Sequence, residues 1–173
     1  MIVIKNARLS YANVWEAKSI NGSEPKYSVS LIIDKKDTTM VEAIKAAIEA
    51  AIADGVKSKF QGKKPANLKL PLRDGDAERP DDKNYAGCYF INANSKNPPK
   101  IVDRKVQPIL DQGELYSGCY ANVSVNFFAF NTNGNKGIAV GLNNIQKVKD
   151  GERLDGGTTP EMDFKPLGDD FLD

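Results

Sequence analysis

The sequence predicts a mainly β domain: a small closed or partly closed β-barrel with one α-helix, a long polar excursion and an acidic C-terminal tail. Several short segments alternate apolar and polar residues, which is typical of half-buried strands. Only one segment, over about residues 38–54, has the apolar spacing of an amphipathic helix. Several short strands with a single helix favour a barrel, because closing a sheet removes its unpaired edges.

The first third of the chain supplies two predicted strands and the helix. Residues 2–11 are predicted as a strand with an irregularity near Asn6, and residues 27–33 alternate apolar and polar side chains in a second strand. Thr39 begins a capping box, after which branched apolar residues recur at helical spacing. Gly55 is placed to end this helix, whose apolar stripe is expected to face the core.

Residues 56–86 form a long polar excursion. Loops of this length are usually functional or mobile, so we expect either a flap over a binding groove or an interface. Strand character returns over residues 88–94 and again from residue 100 to 103, with a turn at Asn97-Pro98-Pro99 between them.

The segment 119–130 alternates between two chemically different faces. The first face comprises Cys119, Ala121, Val123, Val125 and Phe127. The second comprises Tyr120, Asn122, Ser124, Asn126, Phe128 and Phe130. The first is a core face. A dry core would not accept the amides and hydroxyl of the second without partners for each, so this face favours a ligand-binding surface. The alternative is that its rings pack under the helix or in a dimer seam.

A hairpin and one further strand complete the predicted barrel. Asn133-Gly134 is a hairpin turn signal, and residues 138–148 form the last strand. Beyond Asp150 the alternation gives way to glycine, threonine and acidic residues. We therefore divide the chain into a barrel domain over 1–150 and a disordered acidic tail over 151–173.

Composition excludes most familiar catalytic chemistry. The 173 residues contain no histidine, which removes Ser-His-Asp and Cys-His nucleophile systems and every zinc site with a histidine ligand. Cys88 and Cys119 are too few for an all-cysteine zinc site, and we expect both thiols to be reduced. No apolar stretch is long enough to span a bilayer and no leader pattern opens the chain, so neither membrane insertion nor secretion is expected. No catalytic residue, metal or cofactor is predicted.

The net charge of +1 conceals a division along the chain. Residues 1–150 carry a net charge of +6, and residues 151–173 carry −5. Such asymmetry indicates a polyanion partner and an acidic tail. A tethered polyanion can compete with nucleic acid for a cationic groove, and apolar residues within it can dock on a partner protein. The tail residues predicted for these contacts are Asp169, Asp170, Phe171 and Asp173.

Rings and cations together predict a site for single-stranded nucleic acid. Exposed rings stack on bases with about 1–3 kcal/mol per base, while cations track the phosphates. The second face of 119–130 supplies rings and amides, and cations lie on or beside several predicted strands. The residues predicted to bind single-stranded DNA are Tyr120, Asn122, Phe128, Phe130, Lys5, Arg8, Tyr11, Lys26, Lys96, Lys100, Arg104 and Lys105.

Several segments also carry a resemblance to a known family. They are Ser10-Tyr11-Ala12-Asn13, Tyr27–Ile33 with Asp34-Lys35, Leu72-Arg73-Asp74-Gly75-Asp76, Ile91-Asn92-Ala93 with Pro98-Pro99, and Gly141-Leu142-Asn143-Asn144-Ile145-Gln146-Lys147-Val148. Together they span most of 1–150, and the last is the most specific. The sequence resembles a family of bacteriophage single-stranded-DNA-binding proteins that was long known only as a domain of unknown function.

The resemblance implies an OB-fold, here an OB-fold-like five-stranded barrel, and non-catalytic binding of single-stranded DNA in phage replication or recombination. The tail is similar in kind to those with which other replication single-strand binders recruit polymerases, although it lacks their Pro-Phe ending. The expected partners are single-stranded DNA and, through the tail, phage or host replication proteins. We expect no membrane association, a monomer or homodimer, and a location in the cytoplasm of the infected bacterial host.

Two other functions compete with this one. A Mg²⁺-dependent nuclease or resolvase would use the acidic loop 74–82, whose carboxylates suit a hard cation. Arg73, Arg79 and Lys83 neutralise much of that loop, which favours a solvated loop instead. The other alternative is a phage protein-interaction module, in which the aromatic face of 119–130 would contact protein.

Overall fold

Seven strands, one long helix and one short helix make up the described part of the fold in the computed structural model, which covers residues 1–19, 22–154 and 164–167. The strands are β1 (Ile2–Lys18), β2 (Lys26–Asp34), β3 (Arg73–Asp74), β4 (Cys88–Ser95), β5 (Lys100–Val102), β6 (Tyr120–Thr132) and β7 (Asn135–Lys149). The helices are α1 (Thr38–Ser58) and α2 (Gly75–Glu78), with 3₁₀ turns at Lys83–Tyr85 and Gln112–Glu114.

Five of the strands close into a barrel. Antiparallel pairing joins β4 to β2, β2 to β1, β1 to β6 and β6 to β7. A parallel pairing of Asn94 with Gly141 then joins β4 to β7 and closes the ring. The two short strands flank it, β3 beside β4 and β5 beside β7. The predicted mainly β, OB-fold-like five-stranded barrel with one principal helix is therefore confirmed.

Strand β1 is long and bent because it pairs with β6 through its first part and with β2 through its later part. Its pairing with β6 shifts register between Ile4 and Ala7, and its pairing with β2 shifts again after Ser10. Asn6 and Tyr11 have φ angles of 55° and 47°, in the left-handed region. A bulged residue turns a strand and re-aims the side chains beyond it. The predicted irregularity near Asn6 is confirmed, and the strand continues seven residues beyond its predicted end.

Helix α1 has different ends from those predicted. Asp37 caps it, since its side chain accepts a hydrogen bond from the Met40 backbone N–H at 3.2 Å, so the predicted capping box at Thr39 is wrong. The helix also runs four residues past its predicted end. Gly55 lies inside the helix rather than ending it. A Cβ at this position would lie 2.7 Å from the side chain of Ala129. Glycine at this position lets the helix approach β6 closely.

The main core fills the barrel and extends under α1. Ile44 of the helix, Leu31 of β2, Ile91 of β4 and Val123 of β6 are all fully buried in it. Both cysteines are free thiols. Within residues 1–19, 22–154 and 164–167, no helix is long and apolar enough to cross a membrane.

A second, smaller apolar cluster lies on the outside of the barrel. Ile32 and Phe90, which point outward from β2 and β4, are covered by Tyr85. The Tyr85 and Phe90 rings meet edge to face with centroids 5.1 Å apart. This contact anchors residues 73–87, the structured part of the polar excursion, and we call that segment the flap. The flap covers the outer surface of β2 and β4.

The chain remains attached to the barrel just beyond β7. The Leu154 backbone N–H donates to the Ser117 carbonyl at 2.9 Å, and Leu154 packs against the outer apolar cluster. Gly118, with φ of 119°, permits this approach, since a Cβ there would clash with the Glu152 carbonyl oxygen. The predicted domain boundary at 150 stays a prediction. Asp169, Asp170, Phe171 and Asp173 lie outside the described residues.

Candidate nucleic-acid interface

A row of side chains crosses the outer face of the barrel. Arg8 of β1 lies opposite Ile32 of β2 on one side and opposite Tyr120 of β6 on the other. Ile32 in turn faces Phe90 of β4, and Tyr120 faces Lys149 at the end of β7. Directly opposite residues on neighbouring strands point to the same face of a sheet. The exposed part of the row therefore presents a cation, a ring and a second cation side by side.

The centre of this row is the ring of Tyr120. The Arg8 guanidinium carbon lies 5.8 Å from its centroid, and the Lys149 Nζ lies 4.6 Å from it. Both distances permit cation–π attraction. Arg8 is held in place because its Nε donates to the Gly118 carbonyl at 3.2 Å and its guanidinium donates to the Glu152 carbonyl at 2.9 Å.

Arg104 joins the same group from the turn after β5. Its guanidinium donates to the Val148 carbonyl at 3.3 Å, next to Lys149. We call Arg8, Arg104, Tyr120 and Lys149 the Tyr120 cluster. In this cluster two arginines are fixed by carbonyl oxygens, and neither lies within ion-pair distance of a carboxylate among the residues that the structure describes. The arrangement suits an anionic ligand that also carries flat rings.

A ladder of amides and hydroxyls continues from Tyr120 along β6 and β7. The Asn122 amide donates to the Gln146 side chain at 3.1 Å, and the Asn126 amide donates to that of Asn143 at 3.3 Å. Between them, the Asn144 backbone N–H donates to the Ser124 hydroxyl at 3.0 Å. We call these residues the amide track. Their pairing explains how polar groups can alternate with core residues along one strand.

The second face of 119–130 lies outward as its alternation predicts, but its rings do not meet. Eight residues separate Phe128 from Tyr120, which at about 3.4 Å per residue places them roughly 27 Å apart. The Phe128 side chain is 49% exposed. Phe130 packs over Gly137, where a Cβ would lie 2.9 Å from its ring. The rings therefore form two separate regions rather than one stacking surface.

The remaining predicted cations are dispersed. Lys26 and Lys96 lie at the far ends of β2 and β4, and Lys96 forms an ion pair with Glu24 at 3.3 Å. Lys5 is exposed on β1, and Lys100 and Lys105 are exposed on and beside β5. Of the predicted residues, the structure thus places Arg8, Arg104 and Tyr120 in the Tyr120 cluster and Asn122 in the amide track, and it leaves these five lysines outside the cluster.

Tyr11 belongs to another aromatic group, which surrounds Arg79 of the flap. Its side chain is 58% exposed, and the Arg79 guanidinium carbon lies 5.3 Å from its centroid. The same guanidinium lies 5.0 Å from the rings of Tyr85 and Phe90. A shallow hollow of about 680 Å³ opens beside Tyr11 and Asn84. Tyr11 therefore presents a supported ring near the row.

Sequence reasoning missed Arg79 and Lys149 as candidate site residues. No local pattern identifies Arg79, because its ring neighbours come from three separate segments. A signal for Lys149 was present, since the predicted last strand pairs with 119–130 through the Asn133-Gly134 hairpin. Counting antiparallel residue pairs away from that turn places the C-terminal end of the last strand, which includes Lys149, opposite Tyr120.

The first two carboxylates of the acidic loop, which the nuclease alternative would use to bind Mg²⁺, form ion pairs with Lys35. The Lys35 ammonium lies 2.7 Å from an Asp74 carboxylate oxygen and 2.8 Å from one of Asp76. These hydrogen bonds lower the pKa of Asp74 and of Asp76 and raise the pKa of Lys35. Asp76 also accepts from the Gly87 backbone N–H at 3.0 Å. In the described ranges, no three His, Cys, Asp or Glu side chains are grouped so that they could hold a metal ion.

Comparison with known proteins places the chain in a family. A family model described as the single-stranded-DNA-binding protein of Enterobacter phage Enc34 matches residues 1–172. This chain belongs to the Enc34 single-stranded-DNA-binding family. The resemblance stated from the sequence is thereby confirmed, and the family is one of binding proteins rather than enzymes. Among curated proteins, protein p50 of Acyrthosiphon pisum secondary endosymbiont phage 1 is 33% identical over 163 residues, which are 90% of this chain and 87% of that protein.

Solved structures of the Enc34 protein share the fold. The protein in complex with single-stranded DNA has a TM-score of 0.79 at 25% identity, covering 88% of each chain. A C-terminally truncated form has a TM-score of 0.76 at 24% identity, covering 88% of this chain and 87% of that one. The single-stranded-DNA-binding protein gp2.5 of bacteriophage T7 matches with a TM-score of 0.59 at 17% identity, over 96% of this chain and 94% of that one, which shows a shared fold alone.

Proposed function

We propose that this chain binds single-stranded DNA, without catalysis, at the Tyr120 cluster. The observation that carries the proposal is the Arg8–Tyr120–Lys149 arrangement, in which two cations flank one ring across three paired strands. The family description and the Enc34 complex with single-stranded DNA support the same ligand. An unpaired base stacks on Tyr120, while Arg8, Lys149 and Arg104 neutralise phosphates on either side.

The chemistry predicts little sequence preference. Every base has a flat face that can stack on a ring, so stacking contributes about 1–3 kcal/mol whichever base is present. Several side chains of the amide track already bond to one another or to the backbone of neighbouring segments, which reduces the number of groups that could read base edges. Tyr11 with Arg79 offers a second stacking position near Arg8. OB-folds cover ~4–16 nucleotides, and the two rings lie within that reach.

Binding to oligo-dT and to a matched duplex, measured by fluorescence anisotropy over a salt series, tests the proposal. We expect tight oligo-dT binding that weakens with salt, with a slope of about −0.7 for each phosphate neutralised. The same mixtures with Mg²⁺, examined on a denaturing gel, should contain intact DNA. Salt-independent affinity would contradict a cationic site, and Mg²⁺-dependent cleavage would favour the nuclease.

We further propose a regulatory or recruiting role for the acidic segment 151–173, attached to the binding domain over 1–150. Its net charge of −5 opposes the +6 of the domain, so it competes with DNA for the same cations. Deleting residues 160–173 should raise oligo-dT affinity most at low salt, where charges are least screened. Unchanged affinity at low salt would leave recruitment of phage or host replication proteins as its role.

The proposed setting is phage DNA replication or recombination in the cytoplasm of the infected bacterial cell. A protein that covers exposed single strands without cutting them protects the strand and removes its secondary structure. The phage relatives support this setting. Loss of phage DNA synthesis on depletion of the protein, with restoration by the wild-type chain and not by a Tyr120→Ala variant, would test it.

A further inference from the structure

A second strongly basic region lies at the opposite end of β6 from the Tyr120 cluster. Residues 54–70 and 128–137 contain six lysines and a single carboxylate, that of Asp54. We call this region the lysine patch. Its members are Lys57, Lys59, Lys63, Lys64, Lys69 and Lys136.

Backbone contacts gather these lysines from three segments. The Asn131 side-chain amide donates to the Lys59 carbonyl at 3.3 Å, which joins the end of α1 to the β6–β7 hairpin. The Lys69 backbone N–H donates to the Lys136 carbonyl at 3.0 Å, and the Ile138 N–H donates to the Lys69 carbonyl at 2.9 Å. The patch is therefore a product of the fold, built from positions up to 79 residues apart.

Within residues 1–19, 22–154 and 164–167, the charge of the patch is not neutralised by ion pairs. Among the described residues, none of the six lysines lies within ion-pair distance of a carboxylate, whereas Lys35, Lys96 and Lys147 all do. Five of the six are exposed, and Lys136 is half-buried. An unpaired group of cations attracts polyanions and gives up condensed counterions when they bind.

An exposed ring lies beside the patch. Phe128 is among the most exposed aromatic side chains of the described residues, and it borders a hollow of about 220 Å³. The hollow is lined by residues of α1 and β6, among them Gly55, Lys59 and Phe127. A ring next to unpaired lysines repeats, in looser form, the combination found at Tyr120. That combination suits single-stranded nucleic acid better than a purely anionic ligand.

We propose that the lysine patch with Phe128 is a second contact for the same DNA strand. This inference rests on the proposed function, because the Tyr120 cluster is its first contact. The amide track links the two regions along the outer face of β6 and β7, over roughly 27 Å. A short strand occupies the Tyr120 cluster alone. A longer strand continues to the patch, where its phosphates exchange counterions for lysine side chains.

Length dependence tests the second contact. The test variant is Lys63→Ala with Lys136→Ala, and the matched control is Lys36→Ala with Lys45→Ala, which removes the same charge from exposed positions before and within α1. Anisotropy is measured with oligo-dT from ~6 to ~30 nucleotides, which brackets the usual reach of an OB-fold. A Phe128→Leu variant, which keeps an apolar side chain but loses the ring, is measured in parallel.

We expect the test variant to bind the shortest strand like wild type and the longest strand about tenfold more weakly at low salt. Its salt slope for the longest strand should fall by about 1.4, for two lost phosphate contacts. Phe128→Leu should also weaken only long strands, and the control should match wild type. Equal weakening at all lengths, or none at any length, would overturn the second contact. If wild type itself failed to bind the short strand, the proposed function would fail instead.

Discussion

The two ends of β6 both combine cations with an aromatic ring, but the cations are held differently at each end. At the Tyr120 end, Arg8 and Arg104 are fixed by backbone carbonyls, and Lys149 lies over the ring. At the Phe128 end, the six lysines have no carboxylate partner among the described residues, and the ring is half exposed. At the Tyr120 end the arginine side chains are already held by hydrogen bonds before a ligand binds. At the Phe128 end, no side-chain hydrogen bond or ion pair among the described residues holds the lysine ammonium groups.

The difference indicates what each end contributes. Preorganised groups lose little conformational freedom on binding, so they provide affinity per contact. Flexible lysines lose side-chain entropy when they are ordered, so their contribution is mainly electrostatic and depends on salt. We therefore expect the Tyr120 end to set how tightly a base is held, and the Phe128 end to set how affinity grows with strand length.

The largest expected effect is that of Tyr120→Ala. Removing the ring should cost about 1–3 kcal/mol, or roughly 5- to 150-fold in oligo-dT affinity at every strand length. Anisotropy with a short and a long strand measures it. Tyr120→Phe keeps the ring and should bind within a few-fold of wild type. If Tyr120→Ala weakened the binding of long strands only, the Tyr120 end of β6 would be the contact that only long strands reach, which contradicts the proposed roles of the two ends.

A smaller effect is expected for Lys149→Ala. The variant should lower the salt slope by about 0.7 at all lengths, because one phosphate contact is lost where both short and long strands bind. Lys45→Ala, on the exposed side of α1, removes the same charge and is the control. An unchanged slope with the short strand would show that Lys149 serves only to pack against Tyr120.

The smallest effect on DNA binding is expected for Lys35→Gln, which loosens the flap beside the row. Hydrogen exchange over residues 75–86 should accelerate, because Asp74 and Asp76 lose their shared partner. Lys36→Gln, on the neighbouring exposed lysine, is the control. Unchanged exchange would mean that Tyr85 packing alone anchors the flap.

The same ion pairs predict how anchoring depends on pH. The pKa values of Asp74 and Asp76 are lowered from 3.8, so their contribution is complete above that pH and is lost as pH falls through the lowered values. The pKa of Lys35 is raised from 10.5, so its contribution is lost only above that pH. Protection of the amides over 75–86, measured as the exchange rate relative to the intrinsic rate at each pH, should therefore be highest between these limits and fall below about pH 4.

Much of the fold could be predicted because it depends on local periodicity. Alternation placed 119–130 and 27–33 on strands with the correct faces inward, and helical spacing placed α1. The ends of elements were less predictable. Gly55 was predicted to end the helix but lies inside it, where its lack of a side chain leaves room for Ala129, a neighbour 74 residues away. Asp37, Thr38 and Thr39 are all residue types that cap helices, so the sequence did not decide that Asp37 caps α1.

The sequence by itself determined the strand faces, the single helix, the absence of histidine chemistry and the division of charge between 1–150 and 151–173. Only the tertiary structure decided which cations meet which rings. Arg8 and Tyr120 are 112 residues apart and become neighbours through strand register, and Lys59, Lys69 and Lys136 converge through a helix end and a hairpin. The physical reason is that periodicity acts over a few residues, whereas register is fixed by burying the core faces of the distant strands together.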